Sequence, residues 1–192
     1  MSPRLALCCL VAVAVVAFAP LGAAEEVTVP VARQAELIVR VAAYDRNLPA
    51  RAGGTVRVLI VMNPEDADSR VVASQMDAAL HKFDKIAGLP YEVTTIPLPS
   101  SAADVAATCR QNHVSIVYVT QGLDARMGEL AAALGGVDVF SIAALVRYVP
   151  QGIVLGFDLV SAKPTLVINL PQANKQNVSV EAGVLHLMKV IQ

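Results

Sequence analysis

The sequence predicts an α/β domain: a mainly parallel sheet with helices on both faces, ending in an antiparallel hairpin and a C-terminal helix. Two observations carry this. Apolar runs of strand length (VRVLIVM, VSIVYVT, VDVFSI) alternate with stretches of helical period, the pattern of a parallel sheet covered on both sides. Near the end, about four residues, Ser161 to Pro164, separate GIVLGFDLV from TLVINL, and a parallel crossover needs a dozen or more. Those last two strands are therefore expected to run antiparallel. No low-complexity tract, repeat or linker divides residues 25 to 192, which read as one domain.

The elements follow in order. In PVARQAELIVRVAAYDRNL, Pro30 suits a first helical turn, Val31, Ala35, Ile38, Val41 and Ala42 share one face, and Arg33, Glu36 and Arg40 lie largely off it. Gly53-Gly54 leads into VRVLIVM, whose unbroken apolar character suits a strand buried on both faces. Asn63-Pro64-Glu65-Asp66 announces a helix with a cap and acidic first turn, expected to run to about Gly88. YEVTTI is the next strand, Pro97 to Ser100 a loop, and SAADVAATCRQN a helix in which Ser101 and Asp104 have capping-box spacing. After VSIVYVT, Gln121-Gly122 turns into the helix LDARMGELAAAL, and Gly135-Gly136 precedes the strand VDVFSI and a short helix toward Tyr148. A final helix from about Ser179 is expected to cover one face of the sheet.

The first 24 residues read as a cleavable secretory signal peptide. Arg4 gives a basic start, Leu5 to Phe18 carry no charge, and Leu21-Gly22-Ala23-Ala24 offers small residues before Glu25. The apolar run falls short of the roughly 20 residues of a spanning helix, so no stable membrane span is expected after cleavage. Most of that run follows Leu5-Ala6-Leu7-Cys8 instead of preceding the cysteine, which argues against lipidation. Cleavage takes one of fifteen basic residues and leaves fourteen against sixteen acidic ones. That balance, without blocks of like charge, argues against nucleic acid as a partner. Cys109 is the one cysteine left, so no disulfide can form within the mature chain.

Several segments together resemble the YfiR-like family of exported bacterial proteins: Ala43-Tyr44-Asp45-Arg46 after the first helix, TVRVLIV, VSIVYV, GIVLGFDLV followed by LVINL, and a terminal VLHLMKVI. The resemblance covers most of the mature chain. It implies a periplasmic, non-enzymatic regulator, often a homodimer, whose named member restrains an inner-membrane diguanylate cyclase and so affects cyclic-di-GMP signalling and biofilm formation. That regulator is associated with paired, disulfide-forming cysteines. Cys109 alone cannot supply them, so redox gating does not carry over.

No catalytic residue stands out. His81, His113 and His186 lack metal-ligand spacing. Asp77, His81 and Asp84 fall on one helix side and read first as a solvated, charge-paired face. His113 reads as a cap or backbone partner, and His186, among Leu185, Leu187 and Met188, as a partly buried structural histidine. No serine has a nucleophile-elbow setting, no glycine motif cradles phosphates, and no metal or other cofactor is implied. Cys109 reads as a core residue, with intermolecular pairing or redox sensing as its alternative.

Two binding surfaces are left. Asn63, Ser100, Ser101, Thr120, Gln121 and Ser141 are expected at the carboxyl ends of strands, where open α/β sheets bind small ligands. Beside helix amino termini they could hold a polar or anionic molecule, though the same residue types cap helices and make turns. The second surface is the exit of the first helix at Tyr44, Asp45 and Arg46 together with the unpaired edge of the hairpin, suited to a protein partner. The expected partner is therefore an inner-membrane signalling protein or a small ligand. The alternative to a regulator is a small solute-binding protein resembling one lobe of an ABC transporter substrate-binding component.

Overall fold

A computed structural model describes residues 28–192. The signal peptide lies outside the described residues, and within them no helix is long and apolar enough to cross a membrane.

The helix expected after Pro30 is α1 (Val31–Ala42); a short α2 (Leu48–Ala52), which the sequence reading did not include, follows it, with Asp45 in the corner between them. Then follow β1 (Val56–Met62), α3 (Ala67–Leu80), β2 (Tyr91–Pro97), α4 (Ala102–Gln111) and β3 (Ile116–Val119). A 3-10 turn leads into α5 (Met127–Leu134), then come β4 (Phe140–Ala143), a second 3-10 turn at Val146–Tyr148, β5 (Leu155–Val160) and β6 (Lys163–Asn169). The chain closes with α6 (Leu170–Lys175), α7 (Ala182–Leu185) and β7 (Lys189–Ile191).

The seven strands form one sheet in the order β2-β1-β3-β4-β5-β6-β7. All neighbours are parallel except β5 and β6, the expected antiparallel hairpin. Its turn is tighter than expected: Ser161 and Ala162 both take positive φ, and Val160 pairs directly with Lys163. Helices cover both faces. Tyr118 of β3 reaches Gln34 on α1, which packs on α3, while α4 packs on α5 across the other face. β3 and β4 are wholly buried, which is why their sequences are apolar but for the hydrogen-bonded Ser141, whereas β2 at the sheet edge mixes half-buried and exposed residues.

Two expectations are corrected. α3 ends at Leu80 instead of near Gly88, and the Tyr91 hydroxyl, 2.7 Å from the Leu80 carbonyl and 2.8 Å from that of Phe83, shares its one proton between these two acceptors past the helix end. The helix from Ser179 is four residues long with none buried, so the C-terminal helical region is α6 plus this single turn. The last residues instead extend along Val167–Asn169 as β7, satisfying backbone groups that the β6 edge would otherwise leave open. The edge of the hairpin is thus occupied over its second half.

Candidate functional site

The carboxyl ends of β1, β2 and β3 converge where α3 and α4 begin. Asn63, one residue past β1, is committed to the chain itself. Its Nδ2 donates to the Gly122 carbonyl (2.8 Å), its backbone N–H to Ser69 Oγ (2.8 Å), and its Oδ1 accepts from Glu65 N (3.0 Å). Thr120 is fully buried, with Oγ1 2.6 Å from Ser69 Oγ and 3.1 Å from the Val61 carbonyl. Asn63, Ser69 and Thr120 therefore form one closed network that ties the β1 and β3 ends together.

The two helix amino termini here are also filled. Asp66 caps α3 by accepting from Ser69 N (2.9 Å). At α4, Ser101 Oγ accepts from Ala103 N, and Glu129 of α5 accepts from Ala102 N at 3.1 Å. That N–H, with the Arg126 guanidinium, holds the Glu129 carboxyl below its ordinary value. Arg126 also donates to the Pro99 carbonyl and to the Ser100 carbonyl (2.9 Å), so Ser100 contributes its backbone. Each helix dipole here already faces a carboxylate of this chain, and an anion at either amino terminus would meet like charge.

Ser141 lies inside β4 and not at a strand end. It is buried, its Oγ accepting from Val154 N (3.1 Å) and its N–H donating to Gln176 Oε1 (3.2 Å), so it braces the sheet and cannot meet a ligand. Gln121 lies half-buried on the wall of a cleft of about 850 Å³, which it shares with Val29, Asp66, Asp68, Val72 and Asp124. A smaller cleft of about 310 Å³ includes Asn63, Ser100, Leu98 and Arg126. Over the larger one, Arg147 and Tyr148 both bind Asp124, and the Tyr148 hydroxyl also accepts from Leu123 N (3.2 Å). Burial and the Asp124 carboxylate push the Tyr148 hydroxyl up to about 12.

At the α1 exit, Tyr44 and Arg46 are exposed, but Asp45 is buried and withdrawn from any docking surface. Its carboxylate accepts from Arg51 (2.7 Å), Ser179 N (2.9 Å) and Asn47 N (3.2 Å). Arg51 in turn reaches Asp138 (2.7 Å) and the Asn177 carbonyl (2.8 Å). Around this pair, Arg46 N donates to the Ser179 carbonyl and Glu181 N to the Tyr44 carbonyl, both at 3.0 Å, so 44–46 and 179–181 form a short antiparallel ladder. The period of two turns Asp45 inward and its neighbours outward.

Sequence reasoning missed Arg51, Asp138 and Glu129, whose partners are distant in the chain and which carry no spacing signal. His81 is exposed, with Nδ1 2.8 Å from the Asp77 carbonyl, and Asp84 lies beyond the end of α3. Among the described residues no cluster of three or more His, Cys, Asp or Glu could hold a metal ion. His186 is exposed just after α7, against the expectation of partial burial, because α7 is one turn with no buried face. Cys109 is buried as expected, and desolvation pushes its thiol up to about 12 despite Arg110 nearby.

Taken together, these features define an α/β domain whose strand-end crevice is largely closed by its own side chains. Residues 32–189 match the family described as YfiR/HmsC-like, and the chain belongs to that family, one of periplasmic regulators. No curated protein matches it. Solved structures share the fold at low identity. A conserved domain protein from Vibrio cholerae O1 biovar eltor aligns at 17% identity and TM-score 0.59, over 85% of this chain and 60% of that one. An ABC domain in complex with L-Trp from Streptococcus pneumonia aligns at 14% and 0.56, over 82% and 62%. The ligand-free, open form of CD0873, a substrate binding protein with adhesive properties from Clostridium difficile, aligns at 12% and 0.51, over 76% and 57%. The chain spans about 60% of the length of these structures.

Proposed function

We propose that this protein is a non-enzymatic regulator or sensor of the periplasm that works by binding another protein, an inner-membrane signalling protein such as a diguanylate cyclase, and so bears on cyclic-di-GMP output and biofilm formation. The observation that carries this reading is the corner at Tyr44 and Arg46. An aromatic ring and a guanidinium, the side-chain types that dominate protein interfaces, stand exposed on backbone held by a ladder and a buried ion pair. Backbone already held in this way has little freedom to lose on docking, which leaves the rotamers of the two side chains as the ordering cost.

The test is affinity capture of the exported protein from crosslinked envelope, run in parallel with Tyr44→Ala and Arg46→Glu. Recovery of an inner-membrane cyclase or sensor, lost with both variants, supports the reading. Capture that is indifferent to both removes this corner from consideration.

The cleft of about 850 Å³ keeps solute binding as a second reading. With Asp124 paired to Arg147 on its wall, the charge left over is that of Asp66 and Asp68, which favours a neutral or cationic solute over an anion. Recovery of transporter subunits alone, with a saturable thermal shift by small amines, would favour that reading over the regulator.

A further inference from the structure

The strand order β2-β1-β3-β4 places a switch point between β1 and β3: after β1 the chain turns toward β2, and after β3 toward β4. Open α/β sheets bind ligands in the crevice outside such a point. Here the network of Asn63, Ser69 and Thr120 closes the crevice at the strand ends. The cleft of about 850 Å³ opens beyond it, between the start of α3 and the loop after β3. Its place is that of a ligand site, and its volume falls within the range of about 300–1,000 Å³ that small molecules occupy.

The walls divide into an apolar stripe and a charged end. Asp68, Val71, Val72 and Gln75 stand at i, i+3, i+4 and i+7 of α3, so one line of that helix faces the cleft. Val29, Pro30 and Val31 at the start of α1 add a second apolar wall. Val71 is 52% exposed, which leaves aliphatic surface open for a ligand to cover. Arg147 is bidentate on Asp124 (2.8 and 3.1 Å) and lies over the Tyr148 ring, so that pair is neutral as a unit. Among the described residues neither Asp66 nor Asp68 has a cationic partner. Uncompensated negative charge thus stands at one end of the stripe, and the valines follow it over about 6 Å at 1.5 Å per residue.

We infer that this cleft binds an organic cation with an apolar body. A primary ammonium sits between Asp66 and Asp68, and a stem of about six carbons, matched to the length of the stripe, runs along Val71, Val72 and the α1 start. This ligand class presupposes the solute-binding reading of the cleft and narrows it. The place of the cleft and its apolar walls make the site, and the charge only selects what enters it. An anion would meet two carboxylates. A second cationic group on the same molecule would have to leave water for the valine wall, and a short amine would leave that wall uncovered.

Calorimetric titration of the exported protein with hexylamine, propylamine, 1-hexanol and 1,6-diaminohexane tests this. Hexylamine should saturate a single site, and each methylene lost toward propylamine should weaken binding roughly two- to fourfold. Both 1-hexanol and 1,6-diaminohexane should bind more weakly than hexylamine. Asp66→Asn combined with Asp68→Asn keeps a capping residue on α3, and should weaken hexylamine about three- to tenfold while leaving 1-hexanol unchanged. Val71→Lys, at an exposed helix position that accepts lysine, sets a cation in the stripe and should abolish hexylamine binding. Equal affinity for hexylamine and 1-hexanol, unmoved by the aspartate changes, would overturn the cationic class and leave the solute reading standing. Saturation by none of the four also overturns the proposal. A saturable thermal shift with a neutral sugar or amino acid would then preserve the solute reading, and no shift with either would sink that reading too.

Discussion

Arg51 Nη1 lies 2.7 Å from Asp45 Oδ2, and both side chains are withdrawn from solvent, 2% and 0% exposed. This ion pair sits where the α1 exit, the loop before β4 and the segment after α6 meet. Arg51→Met strands a buried carboxylate, and the expected loss is about 3–5 kcal/mol in urea denaturation. Adding Asp45→Asn should recover part of it, since the double variant no longer buries an unpaired charge. Equal stability of Arg51→Met and the unaltered protein would contradict the assignment.

Gly122 has φ +78, and a Cβ added there would stand 2.3 Å from Asp66 Oδ2. Gly122→Ala should therefore lower stability by about 1–3 kcal/mol, through both the backbone and the displaced helix cap. In an Asp66→Ala background the same change should cost less, because the clashing carboxylate is gone. A double-mutant cycle in denaturant reads the difference.

Cys109 tests the packing under α4. With its thiol pushed up to about 12, the thiolate fraction at pH 8 is on the order of one in ten thousand. A thiol-specific chromogenic reagent should label it only after denaturant is added. Rapid labelling of the native protein would place Cys109 outside the core.

Acid should loosen the α4 start. The Glu129 carboxyl is held low by the Ala102 N–H first and Arg126 second, so the stabilisation is present above the ordinary Glu value near 4.3 and is lost as pH falls through the depressed folded value. Melting temperature followed from about pH 6 to about pH 3 should fall less steeply for Glu129→Gln than for the unaltered protein. Parallel curves would remove Glu129 from the account.

Six of the seven strands were legible in the sequence. VRVLIVM and VSIVYVT contain β1 and β3 because a strand buried on both faces has no polar side to show, and Ser161-Ala162-Lys163-Pro164 is too short to carry a crossover. The cap at Ser101 was legible as well, being a local match of a side chain to the first free N–H groups, and the α3 cap, expected somewhere in Asn63 to Asp66, falls on Asp66. The end of α3 was not, because the Tyr91 hydroxyl that the Leu80 and Phe83 carbonyls share is brought there by the pairing of β2 with β1. Nor was β7: VLHLMKVI carries apolar residues at helical spacing, and what makes it a strand is the open edge of β6.

The same division holds for the candidate site. From the chain alone came the family resemblance, the absence of a catalytic constellation, and the set of polar residues near the strand ends. Tertiary structure decided what those residues do: Thr120 and Ser141 are inside the protein, Asp45 faces inward, and Glu129 reaches a helix start 27 residues away in sequence. The physical reason is range. Periodicity, caps and turns depend on neighbours within a few residues, whereas the partner of a buried carboxylate or hydroxyl is set by strand order, which brings together groups that the sequence keeps far apart.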